Sequence, residues 1–131
     1  IADQIIFTVT ATPNSNPVVS ENIPDQTQQE DFSSYTIDLK SYFSDAETSD
    51  FNLLYSVSGS SKVDIAIANG IATIDSKSGV TGSEEITFTV EDEGGLSISD
   101  VVLFTITETP NTAPIVENVT PDQNLQKDFS L

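Results

Sequence analysis

The sequence predicts an all-β fold, a Greek-key β-sandwich of about seven strands. Three observations carry this. Apolar residues recur with a period of two in one segment after another. Turn residues break these segments at regular spacing. Helix signals are weak, and 15 Thr and 17 Ser favour strands and turns.

The elements follow in chain order. A first strand is expected near Val18 to Ile23. Tyr35, Ile37 and Leu39 alternate with Thr36, Asp38 and Lys40. Phe51, Leu53, Tyr55 and Val57 share one face of a third strand. Val63 to Asp75 reads as a hairpin around Asn69-Gly70, a pair suited to a type I′ turn because both positions need positive φ. Pairing across that turn puts Val63, Ile65, Ile67, Ala72 and Ile74 on one apolar face. Ile86, Phe88 and Val90 alternate with Thr87, Thr89 and Glu91. Val102, Phe104 and Ile106 alternate with Leu103, Thr105 and Thr107.

The chain has 131 residues and a formal charge of -17, from 21 acidic residues against 4 lysines. Arg, His, Cys, Met and Trp are all missing. Such acidity disfavours nucleic acid and anionic membrane, whose phosphates need basic partners. Without His or Cys there is no Ser-His-Asp triad, no cysteine nucleophile and no nitrogen or sulfur ligand set for zinc. Any metal must be a hard cation bound through oxygen.

An internal repeat sets the domain organisation. Ile1 to Ser34 align without a gap on Ile98 to Leu131, an offset of 98 − 1 = 97, with 17 identities over 34 positions. Asp3/Asp100, Phe7/Phe104, Asn14/Asn111, Pro17/Pro114 and Phe32/Phe129 are among them. This implies a tandem array with a 97-residue period, the size of one β-sandwich. Residues 1–13 then read as the last strand and linker of a preceding repeat, 14–110 as the complete repeat, and 111–131 as the linker and first strand of the next. Thr12 to Pro17 and Thr109 to Pro114 each carry two prolines and form short, stiff connectors. The orphaned strand Ile5 to Thr10 is expected to be mobile or to pair with another copy.

Acidic residues gather in three predicted loops: Phe43 to Asp50, Val90 to Asp100, and Pro24 to Asp31. In this strand order the first two loops meet the linker residues Asn14 and Asn16 at the N-terminal end. Glu30 should lie near Asn111 at the other end. Converging carboxylates repel, and a divalent cation reverses that sign. Ca²⁺ is the suitable ion, since it takes carboxylate, amide and carbonyl oxygens. Asp45 and Glu47 can chelate from one loop, with Asp92 closing the site and a linker Asn completing it. This is no EF-hand, because the sixth position from Asp45 is Asp50 and the twelfth is Ser56. The alternative is that these are solvated loop acids on an acidic surface.

With these pieces in place, the chain resembles bacterial cadherin-like repeats, relatives of dystroglycan-type cadherin-like and immunoglobulin-like domains. Asp45-Ala46-Glu47 followed by Leu54 to Gly59 is similar to the family's Asp-x-Asp loop and next strand. Val90 to Ser97 is similar to its Asp-x-Gly stretch, with Asp92 in the ligand position. Asn111 to Pro114 resembles a reduced calcium linker, and Glu30 stands where an early glutamate serves the next linker. The resemblance implies Ca²⁺ between domains, with Asp45, Glu47, Asp92, Asn14, Asn16, Glu30, Asn111 and Asp100 as candidate ligands. The linker has Asn where the family has Asp, and the family's Asp-Arg-Glu motif is missing. One ion per junction is therefore expected rather than a cluster of three.

The function expected is an extracellular, cell-surface spacer or stalk domain of a bacterial repeat adhesin or filament. Its partners are neighbouring repeats. The rivals are a carbohydrate- or receptor-binding module and a calcium-free subunit that exchanges strands. Sugar binding needs exposed rings. Tyr42 and Phe51 are the only candidates, and both are expected to pack at the core or rim. Catalysis by paired carboxylates is disfavoured, since no cleft is implied. Asn118-Val119-Thr120 fits a glycosylation sequon, read as coincidence in a bacterial protein.

Overall fold

The computed structural model describes residues 1–117. The first strand of the following repeat and the sequon at Asn118 lie outside the described residues. Among the described residues nine strands form in chain order: β1 (Val18–Val19), β2 (Gln26–Gln29), β3 (Tyr35–Asp38), β4 (Phe43–Ser44), β5 (Leu54–Ser58), β6 (Val63–Ala68), β7 (Ile71–Ser76), β8 (Gly82–Glu91) and β9 (Ser97–Thr107). A 3-10 turn, Leu39–Ser41, separates β3 from β4.

Seven of these strands build two sheets. One runs β2-β9-β8-β5 and the other β3-β7-β6, while β1 and β4 form a small antiparallel pair. After β3 the chain crosses to β5, returns for the β6–β7 hairpin, and crosses again for the β8–β9 hairpin. This is the Greek-key sandwich expected. The pairing of β2 with β9 is parallel, and every other ladder is antiparallel.

The inner faces hold one core. Ile37, Ala72, Ile74 and Val63 come from the smaller sheet, and Ile86, Phe88, Val90, Val102, Phe104 and Ile106 from the larger. Leu39, Phe43, Leu53 and Ile23 close its margins. The period of two in the sequence therefore maps directly onto burial along β8 and β9. The predicted hairpin forms in the predicted register. Ala68 pairs with Ile71 across Asn69 (φ 52) and Gly70 (φ 72), the two positive angles a type I′ turn demands.

Three expectations need correction. Gln26–Gln29 lies in a region read as an acidic loop, yet it forms the edge strand β2. It has no apolar residue to signal a strand. It is held through its backbone, with Gln26 to Gln29 in register with Phe104 to Thr107. The first strand is correspondingly split, with β1 on β4 and β2 on β9. Phe51 is not on the inward face of β5, but sits in the turn before it with 83% of its surface exposed. Outside these corrections, residues 1–17 form no strand, and Ile5, Ile6, Phe7 and Val9 are exposed.

Candidate functional site

The N-terminal end of the sandwich is built from two acidic loops and the incoming linker. The Asp45–Asn52 loop is shaped by Asp45, whose Oδ2 accepts from the Glu47 N–H at 3.0 Å and the Thr48 N–H at 2.6 Å. A short acid folding back on its own loop in this way is an Asx turn. Thr48 is buried beneath the loop, and its Oγ1 accepts from the Glu93 N–H at 3.4 Å. Asn52 Nδ2 also donates to Glu93 Oε1 at 3.1 Å. These bonds tie the Asp45 loop to the β8–β9 hairpin.

That hairpin turns around Asp92. Its N–H donates to the Leu96 carbonyl, its carbonyl accepts from Gly95, and its Oδ1 accepts from the Leu96 N–H at 2.9 Å. Its Oδ2 accepts from the linker's Asn14 Nδ2 at 3.0 Å. Next to it, Ser15 gives both its N–H (3.2 Å) and its hydroxyl (2.6 Å) to Glu47 Oε2. Pro17 is fully buried, whereas Asn16 is exposed. Gly94 makes room for the approach, since a Cβ there would run into the Asn14 carboxamide. The linker is thus fastened to the body by two side-chain locks and one buried ring.

The eight candidate ligands fall into three places. Asn14, Asp45, Glu47 and Asp92 lie at the N-terminal end. Asn16 lies on the same linker, outside these bonds. Glu30 lies at the opposite end, where its Oε1 accepts from the Thr109 N–H at 3.0 Å beside an exposed Asn111. Asp100 belongs to neither end. It is buried within β9, where Oδ1 accepts from Asn22 Nδ2 (2.8 Å) and Oδ2 from the Ile23 N–H (2.7 Å). It was expected in the hairpin loop and instead pins the bend between β1 and β2. Among the described residues, no three acidic side chains converge on one point. The donor set fits a cation only in part. Asp45 Oδ1 is buried and has no hydrogen-bond partner, which leaves it free to ligate. The Asp92 oxygens and Glu47 Oε2 are already engaged by the protein's own donors.

Hydrogen bonding also sets the acidity of two carboxyls. Burial works against an ionised Asp92, but N–H donors at Leu96, Asn14, Gly94 and Gly95 outweigh it and hold the carboxyl below its ordinary 3.8. Glu84, on β8, is held in the same way. Burial opposes its charge. The Ser61 hydroxyl and the backbone N–H groups of Ser61, Lys62 and Val63 prevail and keep it below 4.5. Both pKa values are lower in the folded than in the unfolded state. Their stabilisation is therefore complete above the unfolded values and is lost as pH falls through the folded ones. A net charge of -17 acts oppositely above that range, because the first protons taken up relieve repulsion. Stability should peak near pH ~5 and fall steeply below ~4. Urea melts across pH will test this, and Glu84→Gln should flatten the acid limb. An acid limb identical in E84Q and the parent would remove Glu84 from the account.

One groove accompanies the site. It holds about 250 Å³ between Phe51, Leu53, Leu54, Tyr55, Ile67, Asn69 and Gly70. The Lys40 ammonium stands 6.0 Å from the Phe51 ring centroid. The Tyr55 hydroxyl donates to the Asp50 carbonyl at 3.0 Å. Burial first, and then the charges of Asp50 and Asp38, push its pKa up to about 12.

The geometry defines an immunoglobulin-like β-sandwich. Comparison with solved structures agrees at that level. The chain is similar to the structure described as "Solution structure of the PKD domain from KIAA 1837 protein", with a TM-score of 0.53 and 21% identity over 80% of this chain and 99% of that one. This likeness concerns the fold. No family model matches the chain, and no curated protein does either. No helix among the described residues is long and apolar enough to cross a membrane.

Proposed function

We propose that this chain is a non-catalytic spacer from a tandem array on an extracellular surface protein. The observation that carries the reading is a pair of closely similar strand motifs with opposite fates. Phe104 in β9 is 1% exposed, while its repeat counterpart Phe7 is 86% exposed. Residues 1–10 carry the pattern of a last strand, with no partner strands of their own among the described residues. They make sense as the end of a preceding sandwich. The sandwich then transmits load along its strands, and the proline linkers limit bending.

A second element of the reading is Ca²⁺ at the N-terminal end, supported by the unpartnered Asp45 Oδ1 in the loop that also carries Glu47. Asp45 would supply the first oxygen, and no further step is assigned to the ion. Ca²⁺ that binds only the folded state stabilises it by about 1.4 kcal/mol at ten times its Kd. For a domain this size that is roughly 5–10 °C in Tm.

The test is a chain with its period written twice, residues 1–116 followed directly by residues 20–131. It should fold as two sandwiches in series, elongated in small-angle scattering. Its Tm should rise in millimolar calcium relative to EDTA. A single compact body, or exchange of residues 1–10 into another copy, would defeat the spacer reading. Superimposable melts in calcium and EDTA would remove the ion and leave the spacer.

A further inference from the structure

We infer that Asn111 and Thr112 are docking residues. They seat the following repeat against this one by direct hydrogen bonds to that repeat's counterparts of Asp92 and Glu47. The inference rests on the spacer reading above.

It comes from overlaying the repeat on the observed bonds. In the first linker, Asn14 bonds Asp92, Ser15 bonds Glu47, and Pro17 is buried. Asn16 is exposed. Ninety-seven residues later the linker reads Asn111, Thr112, Ala113, Pro114. The three positions that engage the body keep their chemistry. Asn111 again offers an amide N–H to a carboxylate. Thr112, like Ser15, has both an N–H and a hydroxyl to give to one carboxylate oxygen. Pro114 supplies the same ring that is buried at Pro17. The position outside these contacts has lost its amide altogether.

The upstream side of the same linker is also held. The Thr109 N–H donates to Glu30 Oε1, and the Thr107 carbonyl accepts from the Glu30 N–H at 2.8 Å. Pro110 alone separates the two anchored residues, Thr109 and Asn111. Two residues span at most about 7 Å, and the proline fixes one of the torsions between them. The junction is a clamp with one anchor on each domain, and a very short lever joins them. None of these bonds needs a metal. The counterpart of Glu30 in the next copy is Lys127, which cannot accept a hydrogen bond, so the following junction lacks this upstream anchor.

The chain with its period written twice, residues 1–116 then 20–131, keeps Asn111 and Thr112 at its internal junction. Residual dipolar couplings recorded in EDTA report whether its two sandwiches share one alignment tensor. The parent should show one shared tensor. The double variant Asn111→Ala, Thr112→Ala should lose it, with each sandwich keeping its own amide spectrum. Ala113→Asn should retain it, because that position makes no contact. Unchanged alignment in the double variant, or separate tensors in the parent, overturns the clamp while leaving two sandwiches in series. Failure to form two sandwiches overturns the spacer reading itself, and the clamp with it.

Discussion

Replacing Asp100 with alanine will destabilise the sandwich by about 2–4 kcal/mol, a large loss for one polar side chain. Asp100 occupies an inward slot in β9, in step with Val102, Phe104 and Ile106. Its register partner on β8 is Phe88. A carboxylate in such a slot is tolerable only if it is fully hydrogen-bonded. It is bonded here by Asn22 Nδ2 and by the Ile23 N–H, and Ile23 is itself only 3% exposed. These donors belong to the bend where the chain leaves β1, paired with β4, and crosses to β2, paired with β9. Alanine would strand a buried backbone N–H without an acceptor and release the bend. Asp100→Asn keeps one acceptor oxygen and should lie between the two. Urea denaturation should show a lower midpoint with an unchanged slope. A midpoint equal to the parent's would mean that the bend is held by packing alone. Calcium should shift Tm equally in D100A and the parent, because this carboxylate is committed to the protein.

Asp100 also marks where the sequence stops being legible. In sequence it sits beside Glu91, Asp92 and Glu93 in an acidic run, and one-dimensional charge density assigns it to their loop. Its parity with Val102, Phe104 and Ile106 was visible, but an acid in an apolar alternation has no local signal for its partners. Those partners lie 77 and 78 positions away. β2 was hidden for a related reason. Gln26–Gln29 is a strand because β9 offers it a backbone edge, and its side chains say nothing of this. The elements that were legible are those with local causes. Asn69-Gly70 supplies both positive angles, and the alternation in β8 and β9 supplies the buried face. The two Phe-Thr segments give the sharpest lesson. Phe7-Thr8-Val9-Thr10 and Phe104-Thr105-Ile106-Thr107 have nearly the same propensity, yet only the second is a strand. What differs is the presence of β8 and β2 beside it. At the site, the charged loops were legible from composition. The Asn14–Asp92 and Ser15–Glu47 locks became visible only when the fold brought the linker down onto the loops.

Phe88→Ala will cost about 3–5 kcal/mol, from lost transfer energy and the cavity it leaves. The ring is fully buried, near the centre of the four-stranded sheet and facing the smaller one. The described residues contain no cysteine, so no disulfide backs up the core. Against a typical total stability of about 5–15 kcal/mol, that loss uses up much of the margin. Tm should fall by roughly 12–40 °C. Val101→Ala, on the outward face of β9 and 54% exposed, should change stability by less than about 0.5 kcal/mol. The contrast also probes the array. With the period written twice and Phe88→Ala placed in one copy only, heating should give two transitions, one near the parent's Tm and one far below it. The core lies between the two sheets of a single period and nowhere reaches into residues 1–13. A repeat that loses its core should therefore unfold alone, while its neighbour stays folded. One joint transition shifted as a unit would mean that neighbouring repeats share enough buried surface to fold together, and that the hydrogen-bonded linker is not their main connection.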